Sequence, residues 1–218
     1  MAEVDLLRSL PRTKRNITQR REAKTPKIVS ASREFGELYF DGPREFGYGG
    51  YRYDGRWVPV AKDIVLHFGL TPGMRVLDVG CAKGFLVKDF MLACPGLDPY
   101  GLDISHYALM HCEKEVVGRL HLGSADSLPF PDASFDCVIS LNTVHNFDRA
   151  GAIRALREIQ RVSRGRAFVQ VDSYRTLEQK GLFESWVLTA RFHDYPQGWI
   201  ELFAEAGYSG DYYWTIVE

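Results

Sequence analysis

The sequence predicts an α/β protein with a doubly wound, mostly parallel sheet and helices on both faces. Short apolar segments of strand length recur along the chain, segments with helical spacing of apolar residues separate them, and glycine or proline ends most of them. Strands that alternate with helices form parallel sheets with the helices packed on both faces. The segment that indicates the function is a strand-to-helix turn within residues 74–86.

The regular pattern begins after Trp57, where apolar residues at helical spacing predict a helix over 58–68 that Gly69 ends. Further helices are predicted at 84–93, 105–115, 150–162 and 196–206. Strands are predicted at 76–79, 100–104, 119–123, 135–141, 166–171 and 211–217. The chain after Gly207 is therefore long enough for one final strand.

Two segments precede this pattern, which predicts an N-terminal unit over 1–57 and a ligand-binding domain over 58–218. Residues 8–27 are rich in Lys and Arg against the single acid Glu22, and their apolar residues show no period. We expect a mobile arm or an irregular cover; a solvated, partly disordered arm is favoured over one that attracts phosphate or RNA. Residues 34–57 interleave aromatics with glycines, which is typical of a loop lid, a small sheet over a pocket or a structural wrap.

Length and composition indicate an ordinary globular domain. The chain has 218 residues, 45% hydrophobic content and a formal net charge of −1. No apolar run approaches the roughly 18–20 residues that cross a bilayer, and no signal peptide is evident, so a cytoplasmic location is expected. Its cysteines show no C-x-x-C pair or zinc spacing, which predicts buried free thiols and no metal site.

The turn after the first strand reads Asp78-Val79-Gly80-Cys81-Ala82-Lys83-Gly84. Glycines there let the backbone approach a ligand, at the sheet edge where open α/β folds bind their ligands. Ala82 replaces the second glycine of a dinucleotide fingerprint, and no P-loop sequence is present. An ordinary tight turn in an unrelated α/β protein is the alternative.

Two acids follow the ends of the next two strands. Asp103 closes the second strand, where an acid can accept hydrogen bonds from both hydroxyls of a ribose or cap the following helix. Asp126 follows the third strand in Gly-Ser-Ala-Asp-Ser-Leu-Pro-Phe, where an Asx turn is the alternative to ligand binding.

The turn, the two acids and the segment Pro-Phe-Pro-Asp-Ala-Ser-Phe-Asp at 129–136 resemble the class I S-adenosylmethionine-dependent methyltransferases, especially their ubiquinone and menaquinone branch. The resemblance covers most of residues 60–172. It implies a Rossmann-like methyltransferase fold over 58–218 and S-adenosylmethionine as the cofactor, with Asp103 on the ribose and Asp126 beside Ala125 on the adenine. The implied cofactor contacts are Asp78, Gly80, Cys81, Gly84, Asp103, Ile104, Ala125, Asp126 and Leu141.

The predicted C-terminal edge of the sheet differs from the usual arrangement in this family. The usual sheet has seven strands with a reversed final hairpin, for which residues 208–218 are too few. Either the hairpin is abbreviated or residues 186–192 contribute a strand out of order.

The sequence gives a less specific signal for the methyl acceptor than for the cofactor. The fourth strand ends in Leu141-Asn-Thr-Val-His-Asn146, without the Asn-Pro-Pro-Tyr type of sequence or the cysteine that base-methylating enzymes use. His145 is the expected general base, because its pKa lies near neutrality and its loop faces the methyl donor; a structural role is the alternative. The residues expected to bind the acceptor are Tyr48, Tyr51, His145, Asp172 and Tyr174.

The expected function is methyl transfer to a small polar metabolite, such as O-methylation of a sugar or a nucleotide-linked sugar in a biosynthetic route. The alternatives are an RNA methyltransferase that uses the basic arm and a non-catalytic S-adenosylmethionine-binding module. A small-molecule partner is expected, membrane binding is not, nucleic acid is disfavoured, and the oligomeric state stays open.

Overall fold

A computed structural model describes residues 1–11 and 15–217. Within them lies one six-stranded sheet in the order β3-β2-β1-β4-β5-β6, with all neighbours parallel. The strands are β1 (Arg75–Val79), β2 (Asp98–Asp103), β3 (Leu120–Leu122), β4 (Cys137–Leu141), β5 (Ala167–Ser173) and β6 (Asp211–Ile216). The order reverses between β1 and β4, so the carboxyl ends of these strands open a crevice for a ligand. The predicted fold class is confirmed.

Helices cover both faces and the carboxyl edge of the sheet. They are α1 (Ile17–Ala23), α2 (Pro26–Ser32), α3 (Glu37–Phe40), α4 (Val58–Phe68), α5 (Phe85–Ala93), α6 (His106–Met110), α7 (Arg149–Val162), α8 (Leu177–Trp186) and α9 (Pro196–Ala206), with 3₁₀ turns at Lys114–Val116 and Val144–Asn146. In α7 the Asp148 side chain caps the first turn, and Leu156 and Ile159 are fully buried. The period of the apolar residues thus sets which face packs on the sheet.

Neighbouring strand residues enter two separate cores. Leu77, Val138 and Val169 pack with α7 and α9, whereas Val76, Ile139 and Phe168 pack with α4 and α5. This follows from the alternation of side chains along a strand. Each fully buried aliphatic or aromatic side chain contributes roughly 1.5–3 kcal/mol to folding. The cysteines are free; Cys112 is half-buried and the others are buried.

The β6 edge of the sheet shows how the sheet ends in place of the usual final hairpin. β6 pairs parallel with β5 over its whole length, and no reversed strand is present in residues 1–11 and 15–217. The hairpin is therefore abbreviated, and residues 187–192, all of them described, contain no strand. Residues 2–4 lie beside β6 instead: the Val4 amide donates to the Tyr212 carbonyl at 2.9 Å.

The basic N-terminal segment differs from the favoured expectation of a disordered arm, which is wrong for its described part. Asn16 and Thr25 cap α1 and α2, and Pro26 occupies the first turn of α2. Arg20 is buried. Residues 12–14, which carry Arg12 and Lys14 of the predicted arm, lie outside the described residues. Residues 34–57, all described, contain α3 and loops but no strand, so they form a loop cover.

Across the described ranges, no helix combines the length and the apolar character that a bilayer span requires.

Candidate active site

A cavity of about 600 Å³ lies at the carboxyl edge of the sheet. Strand ends and the residues just after them line one side, and α1–α3 with the loop cover and the segment after α8 close the other. Small-molecule sites typically measure roughly 300–1,000 Å³. The cavity thus has the position and the size of a ligand site in an open α/β fold.

The turn after β1 is held by its neighbours. The amides of Gly80 and Cys81 both donate to the Leu102 carbonyl, at 2.7 and 3.1 Å. Gly80 has φ +88°, and a Cβ at this position would collide with the Thr143 side chain. The glycine therefore allows close packing against the loop after β4, besides leaving the cavity wall without a side chain.

Asp103 presents its carboxylate to the same cavity from the end of β2. One oxygen accepts the Ala82 amide at 2.7 Å, and the other accepts the Ser105 amide at 2.8 Å. Burial raises the pKa of Asp103, and these amide hydrogen bonds act in the opposite direction. Because each carboxylate oxygen has two acceptor sites, the Asp103 carboxylate retains acceptor capacity for a ligand.

His145 and Asp172 form a buried pair at the ends of β4 and β5. The Asp172 backbone amide donates to His145 Nδ1 at 3.2 Å, and Asp172 Oδ2 lies 3.7 Å from the same nitrogen. Since Nδ1 accepts this hydrogen bond, the neutral ring is assigned its proton on Nε2. Burial lowers the pKa of His145, which favours the neutral ring. Burial also raises the pKa of the Asp172 carboxyl, against the attraction of His145.

The structure brings together more than half of the residues expected from the sequence. The expected residues that line the cavity are Gly80, Asp103, Ile104, Ala125, Leu141, Tyr48, His145 and Asp172. They come from the ends of β1, β2, β4 and β5, from the loop after β3 and from the cover. The shared position follows from the parallel order of the strands.

Six expected residues do not line the cavity, namely Asp78, Cys81, Gly84, Asp126, Tyr51 and Tyr174. Burial and the nearby Asp103 raise the pKa of Asp78 to about 8. Gly84 begins α5 in the left-handed region.

Side-chain partners account for the other four. Cys81 lies so close to Gly101 that a Cβ there would be 2.6 Å from its sulfur. The Asp126 carboxylate accepts from the Ser124 hydroxyl and from Arg154 at 3.0 Å. The Tyr51 ring stacks on Phe85, with 4.6 Å between the ring centroids. The Tyr174 hydroxyl lies 3.0 Å from His193 Nδ1.

One wall of the cavity was not predicted from the sequence. Four arginines line it, together with Trp186 at the end of α8: Arg20, Arg33, Arg44 and Arg191. The basic content of residues 8–27 is visible in the sequence, but its irregular pattern does not tell that Arg20 turns inward. Arg191 follows α8, for which no element was predicted.

Lys83 fastens the cover to the turn after β1. Its ammonium donates to Asp41 Oδ2 at 2.6 Å and to the Tyr51 carbonyl at 2.9 Å. The Tyr107 hydroxyl donates to the same Asp41 oxygen at 2.8 Å. The Lys83 side chain is 8% exposed, so water screens this ion pair little. The cavity wall and its cover are thereby one connected unit.

Comparisons with known proteins agree with the fold and the motifs. The family described as "Methyltransferase domain" matches residues 77–169. A chain in the complex between the Haloferax volcanii Trm112 methyltransferase activator and a methyltransferase is 22% identical, with a TM-score of 0.56, and the alignment covers 69% of this chain and 67% of that one. The fold and the matched domain are those of the class I S-adenosylmethionine-dependent methyltransferases. Residues 77–169, which are less than half of the chain, thus match a methyltransferase domain.

Curated relatives share about a third of their residues with the matched region. The demethylmenaquinone methyltransferase of Symbiobacterium thermophilum is 31% identical over 144 residues, which are 61% of this chain and 57% of that protein. The methyltransferase YcgJ of Bacillus subtilis is 36% identical over 106 residues, 46% of this chain and 41% of that protein. The sterol 24-C-methyltransferase ERG6B of Gibberella zeae is 33% identical over 101 residues, 43% and 26% respectively. The chain thus spans less than two thirds of each relative's length.

Proposed function

We propose that the protein transfers a methyl group from S-adenosylmethionine to a small polar metabolite. The observation that carries the proposal is one cavity that joins Asp103 and the turn after β1 to the His145–Asp172 pair. A methyl donor and a methyl acceptor must meet in such a shared space. When bound, S-adenosylmethionine supplies an electrophilic methyl group.

The residues on the strand-end side fit the adenosyl part of this cofactor. The Asp103 carboxylate retains acceptor capacity beside its backbone hydrogen bonds, which suits the hydroxyls of a ribose. Ile104 is 58% exposed and lies beside it on the cavity wall with the buried Ala125. This apolar surface suits the face of an adenine ring. We assign the cofactor to this part of the cavity.

On the acceptor side we assign two separate roles. We assign to His145 the role of orienting the acceptor oxygen through Nε2–H, since its Nδ1 is occupied; the ring also has a hydrogen bond with the Asn142 backbone, which helps to fix its position. The Asp172 carboxylate takes the acceptor's proton, because its raised pKa makes it a better base than an exposed aspartate. Orientation of the acceptor towards the methyl group supplies at best about 7–11 kcal/mol of the barrier reduction.

A small acceptor is favoured over RNA by the direction of the basic side chains. Arg20 turns into the cavity, and Arg8, although its side chain is 65% exposed, is paired with Asp63 at 3.2 Å. The relatives' names leave the substrate open: they include a fatty-acid O-methyltransferase of Mycolicibacterium smegmatis and a probable human tRNA methyltransferase. O-methylation of a sugar-like metabolite remains our proposal for the reaction.

The test is methyl transfer to a metabolite extract with labelled S-adenosylmethionine. We expect label in the small-molecule fraction with the unmodified chain. Asp103→Asn lowers the affinity for S-adenosylhomocysteine, measured by calorimetry, at least tenfold because one ribose contact loses its charge. Asp132→Asn serves as the control, since Asp132 is exposed and outside the cavity. Cofactor binding without transfer to any fraction would identify a non-catalytic module, and absence of cofactor binding would refute the proposal.

A further inference from the structure

Four guanidinium groups line the cover side of the cavity without a carboxylate partner. They belong to α1 (Arg20), the end of α2 (Arg33), the loop cover (Arg44) and the segment after α8 (Arg191). In the described part of the chain, none of them forms an ion pair. Arg154 lines the same cavity but is paired with Asp126. The four positive charges are therefore available to a ligand.

The polar contacts of these arginines are incomplete. Arg20 donates to the carbonyls of Glu45 and Gly47, at 2.9 and 3.3 Å. Arg33 donates from one terminal nitrogen to the Ala190 carbonyl at 3.1 Å, while its Nε is buried without any partner among the described residues. Buried polar atoms nearly always have a partner in a folded protein. The Arg33 Nε–H is therefore a hydrogen-bond donor for which a bound ligand would supply the acceptor.

Trp186 helps to hold this wall in place. The guanidinium carbons of Arg20 and Arg44 lie 4.9 and 5.5 Å from the centre of its ring. Stacking on the ring fixes both guanidinium planes, and Arg20 and Arg44 already donate to backbone carbonyls, those of Glu45 and Gly47 for Arg20 and that of Gly47 for Arg44. These two arginines therefore contribute fixed positive charge to the wall, next to Arg33 and Arg191.

The arginine wall adjoins the proposed catalytic pair. The Arg191 amide donates to the His145 carbonyl at 2.9 Å, and Arg33 binds the carbonyl of the preceding residue, Ala190. A ligand group held by Arg33 and Arg191 would thus lie within one small molecule's length of His145. The same molecule can reach the arginines and the methyl-transfer position.

In the protein without a ligand, burial and mutual repulsion disfavour the charged state of the arginines in this wall. Burial and the neighbouring Arg191 lower the pKa of Arg33, and burial and Arg44 lower that of Arg20. The acids that line the cavity do not compensate, since Glu34, Asp103, Asp148 and Asp172 are all beyond ion-pair distance of these arginines. An anionic ligand would offset this repulsion.

We propose that the methyl acceptor carries a carboxylate or phosphate group, which Arg33 and Arg191 bind. Arg20 and Arg44 extend the positive wall. Arginine matches the oxygens of both groups through paired hydrogen bonds, which a neutral sugar cannot replace. The inference rests on the proposed function and narrows its substrate class from polar metabolites to acidic ones.

Binding of simple anions tests the site without turnover. Inorganic phosphate and malonate are titrated into the full chain at constant ionic strength with chloride, and binding is followed by calorimetry and by thermal protection. We expect saturable binding, weakened at least tenfold in Arg33→Gln and in Arg191→Gln. Arg149→Gln is the matched control, because Arg149 is exposed, pairs with Glu205 and lies outside the cavity. Circular dichroism and S-adenosylhomocysteine affinity check that each variant is folded.

The outcomes separate the two proposals. Tighter binding of phosphate than of malonate identifies a phosphorylated acceptor, and the reverse order a carboxylic acid. If S-adenosylhomocysteine binds but neither anion does, or if Arg149→Gln weakens the anion as much as the two cavity variants, the inference is refuted and the proposed function stands. If the anions bind but the cofactor does not, the methyltransferase proposal fails.

Discussion

His145 shows how one hydrogen bond changes the role of a residue. A histidine near a methyl donor is expected to act as a base, but here the backbone amide of Asp172 occupies its Nδ1. The remaining ring nitrogen carries the proton and can only donate. The proposed base is therefore Asp172, whose carboxylate faces the cavity and whose pKa is raised by burial.

Substitution at these two residues distinguishes the roles. We expect Asp172→Asn to lower kcat by about 10²–10⁴-fold, the usual contribution of a general base, and His145→Gln to lower it less, because Gln can still donate. Asp172 must be ionised to accept a proton, so wild-type kcat falls as the pH falls through its pKa. Asp172→Asn loses this acidic limb of the profile. If His145→Gln removes the limb and Asp172→Asn keeps it, the base is His145.

At the scale of elements, the turn after β1 and the loop cover act together. Lys83 belongs to the turn, and its partners Asp41 and Tyr51 belong to the cover. The Ser105 hydroxyl also donates to the Phe35 carbonyl, next to Asp103. The cover is thus anchored to the two segments to which we assign the cofactor, so cofactor affinity and cover closure should be linked.

Lys83→Met tests this link. Loss of hydrogen bonds from a charged group costs about 1.5–3 kcal/mol, so the cover should open more often. We expect faster native-state proteolysis within residues 34–57 and weaker binding of S-adenosylhomocysteine. Lys62→Met, on an exposed position of α4, is the control. Proteolysis and affinity equal to those of the control would show that the cover is held without Lys83.

The sequence predicted those elements in which the buried apolar residues recur at a regular spacing along the chain. The helices at 58–68 and 196–206 have the predicted bounds, because their buried residues recur at helical spacing and glycine ends each of them. α1 and α2 were not predicted, because each is only seven residues long and its few apolar residues show no helical period. The partner of Asp126 could not be predicted from the sequence either, because Arg154 lies 28 residues away and contacts it only in the folded chain.

At the scale of the whole molecule, part of the positive charge near the N-terminus faces the cavity, while Arg8, Arg21 and Lys27 are exposed. Arg20 and Arg33 line the cavity, whereas the overall net charge is −1. A nucleic-acid site needs cations along an accessible surface, and its affinity falls steeply with salt. The positions of Arg20 and Arg33 in the cavity therefore suit the small acidic ligand that we propose.

We expect the full chain to show no salt-dependent affinity for single-stranded RNA, measured by fluorescence anisotropy at two salt concentrations. The unmodified chain is preferable to a truncation, because deletion of residues 1–30 would remove α1 and most of α2 from the cavity wall. Binding that weakens strongly between the two salt concentrations would support the RNA methyltransferase alternative.

The pairing of residues 2–4 with β6 bears on the order of folding. The Ala2 amide donates to Asp211 across a separation of 209 residues, and the Tyr212 amide donates back to the Ala2 carbonyl at 3.0 Å. During synthesis these first residues emerge long before their partners, so they must stay unpaired while the rest of the sheet assembles. Closure of so long a loop is entropically costly until β6 is already in place. We therefore expect the contact of residues 2–4 with β6 to form only after β6 has paired with β5.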